Sequence, residues 1–189
     1  PLLAYEYWWE FKSKSCGKAV DSVEVRIDSD DPLNTVGEIQ AKGISLMSGY
    51  YKNEEATKAA FTEDGWMRTG DLGVLDALGN IYIRGRSKNM ILSANGQNIY
   101  PEEIEAAINN QDYVIESVVV DRGASLVALV YVDKDKIAAD GLELEAQMNH
   151  MKAEVNRSMP SYSKIAKVEV MDQPFEKTPK MSIKRFMYK

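Results

Sequence analysis

The stretch WMRTGDLGVLDALGNIYIRGRSKNMILSANGQNIYPEEIE, residues 66–105, decides how the chain is organised, because its character changes midway. Residues 66–75 and 81–84 flank the turn-forming triplet Leu78-Gly79-Asn80, which predicts a β-hairpin. Residues 90–92 predict a further short strand. Pro101 then opens a helix to about Asn109, since proline loses no hydrogen bond at the first helical position. Glu102 and Glu103 follow it, where acidic side chains suit the positive end of a helix.

Upstream, the reading is strands and turns. Val23, Val25 and Ile27 alternate with polar residues, as in a half-buried strand, and Asp28-Ser29-Asp30-Asp31-Pro32 breaks it. Residues 36–41 read as a second strand. Asn53 can cap a short helix through Phe61, with Glu54 and Glu55 in its first turn, and Asp64-Gly65 is a tight turn. Downstream, residues 116–121 and 126–132 predict two strands joined around Arg122-Gly123. Leu144, Met148, Met151 and Val155 make one apolar helical face, and that helix ends before Pro160. Residues 167–171 predict a last strand, followed by a basic tail. The order β-α-β-β-α-β from about residue 88 onward indicates a small α+β domain.

Composition removes several classes of function. With 189 residues, 44% hydrophobic and 28% charged, the chain fits one large or two small globular domains. Its net charge of -6 argues against a general affinity for nucleic acid. No apolar run approaches the ~20 residues needed to span a bilayer. The first residues do not predict a secretory leader, and the expected location is cytoplasmic, with membrane association peripheral at most. Cys16 is the only cysteine and His150 the only histidine, which leaves no intrachain disulfide and no Cys-based metal cluster. His150 falls off the apolar stripe of its helix and reads as a surface residue.

Three clusters can carry chemistry. In Thr69-Gly70-Asp71-Leu72, glycine allows close approach of a ligand and the carboxylate can accept hydrogen bonds from vicinal hydroxyls. The same tetrapeptide also reads as a plain turn. In Gly85-Arg86-Ser87-Lys88-Asn89, Arg86 offers a planar fork of donors suited to ribose or phosphate oxygens, or else the segment is a basic linker. In Ala94-Asn95-Gly96-Gln97-Asn98, glycine permits a backbone geometry closed to other residues, in a loop that either borders a narrow channel or simply joins a strand to a helix.

Order and spacing together are more specific. Gly-Trp-Met-Arg-Thr-Gly-Asp-Leu-Gly, Gly-Asn-Ile-Tyr-Ile-Arg-Gly-Arg-Ser-Lys and Gly-Gln-Asn-Ile-Tyr-Pro-Glu-Glu-Ile-Glu, with Met-Ser-Gly-Tyr-Tyr-Lys-Asn-Glu-Glu-Ala-Thr upstream, resemble the adenylate-forming superfamily. The branch most resembled is the long-chain fatty acid–CoA ligases, through Gly-Arg-Ser-Lys-Asn-Met-Ile and Lys-Thr-Pro…Ile-Lys-Arg-Phe. The resemblance implies an α+β chain: residues 1–86 as the end of a large N-terminal domain, a partial antiparallel β-barrel, and residues 87–189 as a mobile C-terminal domain. It implies ATP, coenzyme A and a fatty acid as substrates, with acyl-AMP formed first and the acyl group then passed to CoA. A carrier protein as acceptor, or a non-catalytic nucleotide-binding module, are the alternatives. By the same resemblance Asp71 and Arg86 hold the ribose, Lys88 is the hinge, and Gly96 and Asn98 border the CoA channel. The Mg2+ ligands, the phosphate loop and the acyl pocket are expected outside these residues, so the fragment alone is expected to be inactive.

One position departs from the family. A lysine that neutralises charge during adenylation is expected in a Thr-Pro-x-x-Lys pattern, but Thr178-Pro179-Lys180-Met181 leads to Ser182. Lys180 and Lys184 each lie two residues away, and in an extended segment side chains two apart point the same way, so either can replace it. A basic, solvated tail is the plainer reading. The aromatic run at residues 5–11 is expected to be covered by the preceding domain, since exposing that much aromatic area is costly.

Overall fold

In the computed structural model, which describes residues 2–93, 95–123 and 125–188, the alternation at Val23, Val25 and Ile27 does form a strand. The chain divides into two units, Pro1–Lys88 and Asn89–Lys189. In the first, β1 (Ala4–Tyr5) pairs antiparallel with β2 (Lys18–Ala19). Then follow β3 (Val23–Asp28), β4 (Gly37–Gly43), helix α1 (Glu54–Ala60), β5 (Met67–Leu75) and β6 (Ile81–Arg86). The last four strands form one antiparallel sheet in sequence order, open at β3 and β6, so the expected barrel element is present without closure. Ile27, Ile39 and Ile81 are its buried apolar centre. Asn53 caps α1 as expected, its side-chain oxygen accepting the Ala56 N–H at 2.9 Å. In the β5–β6 turn, Asp76 Oδ1 accepts from the N–H of Leu78 and of Asn80 at 2.8 and 2.9 Å. The aromatic run lies exposed within this chain, Trp8 at 83%, with Tyr7 stacked on Trp9 at 4.5 Å.

The second unit holds β7 (Ile91–Leu92), β8 (Asn98–Ile99), α2 (Pro101–Asn109), β9 (Val114–Asp121), β10 (Leu126–Val132), α3 (Lys134–Ala139), α4 (Leu144–Ser158) and β11 (Ile165–Val170). Its three-stranded sheet has the order β11-β10-β9, with β9 antiparallel and β11 parallel to β10. Leu126 to Val130 are all buried because both faces of this sheet are covered, which is why β10 reads as a continuous apolar run. On one face Ile104 and Ile108 of α2 and Met148, Met151 and Val155 of α4 join Val119, Ala128 and Val130. Truncating any of the larger of these to alanine costs about 2–5 kcal/mol. On the other face Val118, Val120, Val127 and Leu129 pack against Phe175, Ile183 and Tyr188 of the tail. His150 is exposed on α4.

Two elements exceed the expected β-α-β-β-α-β order. β8 is only two residues long, and α3 buries the single side chain Ile137, so neither displays a period. Asp133 nevertheless caps α3, accepting the Lys136 N–H at 2.9 Å.

Candidate functional site

In the first unit the Thr69-Gly70-Asp71 segment is a bulge. Glu38 lies opposite Leu72 and Gln40 opposite Arg68, so three residues of β5 face the single residue Ile39. Thr69 Oγ1 donates to the Ile39 carbonyl at 2.7 Å and accepts the Asp71 N–H at 3.1 Å. Glu38 takes the Gly70 N–H on one oxygen at 3.2 Å and Arg68 on the other at 2.8 Å. Gly70 holds φ +74°, a left-handed conformation that glycine adopts without strain. The bulge sets Asp71 across from Arg86 on β6, with Nε and Oδ1 2.7 Å apart and both side chains partly open to solvent. A partly exposed carboxylate beside a half-exposed guanidinium offers acceptors and donors together to a polyhydroxyl ligand. The structure thus brings the two expected ribose residues onto neighbouring strands.

Lys88 is exposed in a short 3-10 turn (Ser87–Asn89) and is the last residue of the first unit. In the second unit, β7 and β8 form a small hairpin rather than the expected strand-to-helix loop. Its turn is closed by Ser93 N–H to Gln97 O, Gly96 N–H to Ser93 O, and Gln97 N–H to Ser93 Oγ, each at 2.9 Å. Gly96 has φ +75°, and a Cβ there would meet nothing within 4 Å. Asn98 is exposed on β8 opposite Leu92.

The tail corrects one expectation. Residues 178–182 are a turn, not an extended segment, so the premise that Lys180 and Lys184 point the same way fails. Thr178 N–H donates to Ser182 O at 2.8 Å, and Met181 N–H to Thr178 O at 2.9 Å. Lys177 and Ile183 pair beside it, and Met181 sits at φ +60°. Lys180 and Ser182 are exposed at the tip. Lys184 lies lower, its N–H on the Glu176 carbonyl at 2.8 Å and its Nζ 3.3 Å from the Glu176 carboxylate.

Sequence reasoning missed the group that holds this tail. Arg185 Nη2 pairs with Glu105 Oε2 and lies 4.0 Å from Glu102 Oε1. Glu105 is buried, and its other oxygen accepts the Val119 N–H at 2.6 Å. Burial pushes its carboxyl above the usual carboxylate range, against the opposing pull of Arg185 and the Val119 N–H. Glu102 Oε1 also accepts from Asn89 Nδ2 at 2.6 Å. The spacing of Glu102 and Glu105 marks one helix face, but their partner 80 residues away leaves no local signal. Among the described residues no three His, Cys, Asp or Glu side chains converge to hold a metal ion, so none is assigned to Mg2+. No helix among them is long and apolar enough to cross a membrane.

An open antiparallel sheet with a carboxylate–guanidinium pair, followed by a small α+β unit with two exposed turns, defines the class. The model for the AMP-binding enzyme C-terminal domain matches residues 88–188. The chain belongs to the adenylate-forming, AMP-binding enzyme family and contains its C-terminal domain. It is 30% identical to a long-chain-fatty-acid–CoA ligase of Mycobacterium tuberculosis over 93% of its own length and 32% of that protein. It is 49% identical to the sulfoacetate–CoA ligase of Cupriavidus necator over 47% of its own length and 17% of the relative. Among solved structures, the o-succinylbenzoate CoA synthetase of Bacillus subtilis, in complex with its acyl-adenylate intermediate, superposes with a TM-score of 0.79 at 30% identity. That match covers 94% of this chain and 36% of the synthetase. The chain therefore spans about a third or less of the length of these relatives. Their names cite three different acids, so the likeness to long-chain fatty acid–CoA ligases widens to CoA ligases of several carboxylic acids.

Proposed function

We propose that this chain is the C-terminal part of an ATP-dependent acid–CoA ligase. The acid carboxylate attacks the α-phosphorus of ATP and expels pyrophosphate; the CoA thiolate then attacks the acyl carbonyl and expels AMP. Asp71 accepts hydrogen bonds from the ribose hydroxyls and Arg86 donates to the same sugar. Rotation about Lys88 exchanges two faces of the C-terminal unit, one presenting Lys180 for adenylation and the other presenting Gly96 and Asn98 to the pantetheine arm. Lys180 is the stronger substitute for the lysine expected at Ser182, because it extends from the turn while Lys184 is tied back to Glu176. The observation that carries this reading is the Asp71–Arg86 pair, held at 2.7 Å by a bulge that only glycine forms without strain.

A fatty acid is the acid to test first, because the relative aligned over 93% of the chain is a long-chain-fatty-acid–CoA ligase. AMP release by the full-length protein, with acids of graded length and with or without CoA, tests both parts. The expected result is release that requires acid and CoA and rises with chain length. Release that needs a carrier protein instead of CoA overturns the acceptor, and release confined to short or sulfonated acids overturns the acid.

A further inference from the structure

The tail is fixed at both ends and bare in the middle. At its start Phe175 is buried among Val118, Val120, Val127 and Leu129, and its N–H donates to Glu116 Oε1 at 3.1 Å. Lys177 Nζ reaches the other oxygen of Glu116 at 2.6 Å. At its end Tyr188 sets its ring edge-on to Phe175 at 5.0 Å and accepts the Glu176 N–H on its hydroxyl at 2.8 Å. Between these anchors, residues 179–182 are exposed. Among the described residues of the returning arm, Arg185 is the charged anchor that reaches a buried partner, while Lys184 pairs with the exposed Glu176. Its partner Glu105 is itself immobilised, by burial in α2 and by the Val119 N–H of β9. One guanidinium nitrogen, Nη2, faces both Glu105 and Glu102, and the rigid, planar group fixes the direction of its donors more tightly than a flexible ammonium stem would.

From this arrangement we infer that Arg185 is a positioning residue for the adenylation half-reaction, acting through the turn that carries Lys180. The inference rests on the proposed acid-activating role of that turn. Electrostatic stabilisation depends on where a charge sits, and a misplacement of about 1 Å can cost on the order of 10²-fold in rate. Loss of Arg185 removes one anchor of the returning arm and leaves it held by Ile183, Lys184 and Tyr188, so the tip shifts while the sheet and helices remain. The β7–β8 hairpin has its own closing bonds and should not follow.

The test uses the full-length protein and two assays: acid-dependent ATP–pyrophosphate exchange, and single-turnover transfer from preformed acyl-adenylate to CoA. R185A should lower the kcat of exchange about 10²-fold with little change in the KM for ATP, and should leave acyl transfer within about twofold. R185K should recover part of the loss. The double variant K180A/R185A should exchange no more slowly than K180A alone, because a positioning residue has nothing left to position. Equal losses in both half-reactions, or a double variant that loses the product of the single effects, overturn the inference and leave Arg185 a purely structural residue. Normal exchange by K180A overturns the role of the turn itself, whatever R185A does, so the two failures are told apart. Should R185A not fold, R185K carries the same comparison, with exchange down about tenfold and K180A/R185K no slower than K180A.

Discussion

Two turns of the second unit share one backbone design and differ in what they present. In residues 93–97 and in residues 178–182 the first N–H donates to the fifth carbonyl and the fourth N–H to the first carbonyl. In both, the fifth N–H donates to a hydroxyl on the first residue, Ser93 or Thr178, at 2.9 and 3.3 Å. Each fourth residue is left-handed, Gly96 at φ +75° and Met181 at φ +60°. One tip is small and uncharged; the other carries Lys180 and a non-glycine residue in a conformation that costs of order 1 kcal/mol or more. The difference teaches that hairpin geometry is generic here and that, on the proposed function, side-chain chemistry is what separates the two roles. The glycine tip suits a channel that a chain must thread, and the basic tip suits a site where negative charge develops.

The largest way to break the comparison is to put bulk on the glycine tip. In the full-length enzyme Gly96→Trp should abolish thioester formation and spare pyrophosphate exchange, because a side chain there meets open space and not the protein. Equal loss of both half-reactions would remove Gly96 from the channel. Next in size, Lys180→Ala should slow exchange by about 10²–10³ and Lys184→Ala much less, since only the first extends from the tip. The reverse order would return the role to Lys184. A smaller effect separates the two left-handed residues. Met181→Gly should raise stability and Gly96→Ala lower it, each by roughly 1 kcal/mol, read as opposite shifts of a few degrees in Tm. Shifts of the same sign would mean the turns are not equivalent.

How much of this was legible depended on whether the signal was local. Pro101 with Glu102 and Glu103, the four-three-four spacing of α4 and the Asn53 cap all act within one or two turns of chain, and each element formed where the residues predict. Asp71 and Arg86 were legible as chemistry, but the three-residue bulge that faces one toward the other arises from the β4–β5 register. The tail misled because Lys180, Met181 and Ser182 read as part of an extended segment, although they are indeed exposed. Only the pairing of Lys177 with Ile183 bends that segment into a turn. Glu105 gave no signal of its own in the helix sequence, although it is the buried end of a contact spanning 80 residues.

The smallest effect expected is a change in a difference, and it probes that contact directly. Glu105 titrates above the usual carboxylate range because burial disfavours its charged form, with Glu102 adding a like charge, while Arg185 and the Val119 N–H pull the other way. In the Arg185→Ala variant the strongest opposing pull is gone, so the folded-state pKa of Glu105 rises further while the unfolded value stays put. A raised carboxyl pKa means that the folded state binds the proton more tightly than the unfolded chain. Its stability penalty is therefore full above the folded pKa and is relieved as pH falls through it. The Tm gap between wild type and Arg185→Ala should accordingly be widest at neutral pH and narrow as the pH is lowered toward the ordinary carboxylate range. The same gap measured in a Glu105→Gln background should stay flat, because the amide does not titrate. A gap that widens on acidification, or one that narrows equally with glutamine at 105, would mean that Glu105 is not the group Arg185 neutralises. The basic turn would then be held by its apolar anchors alone.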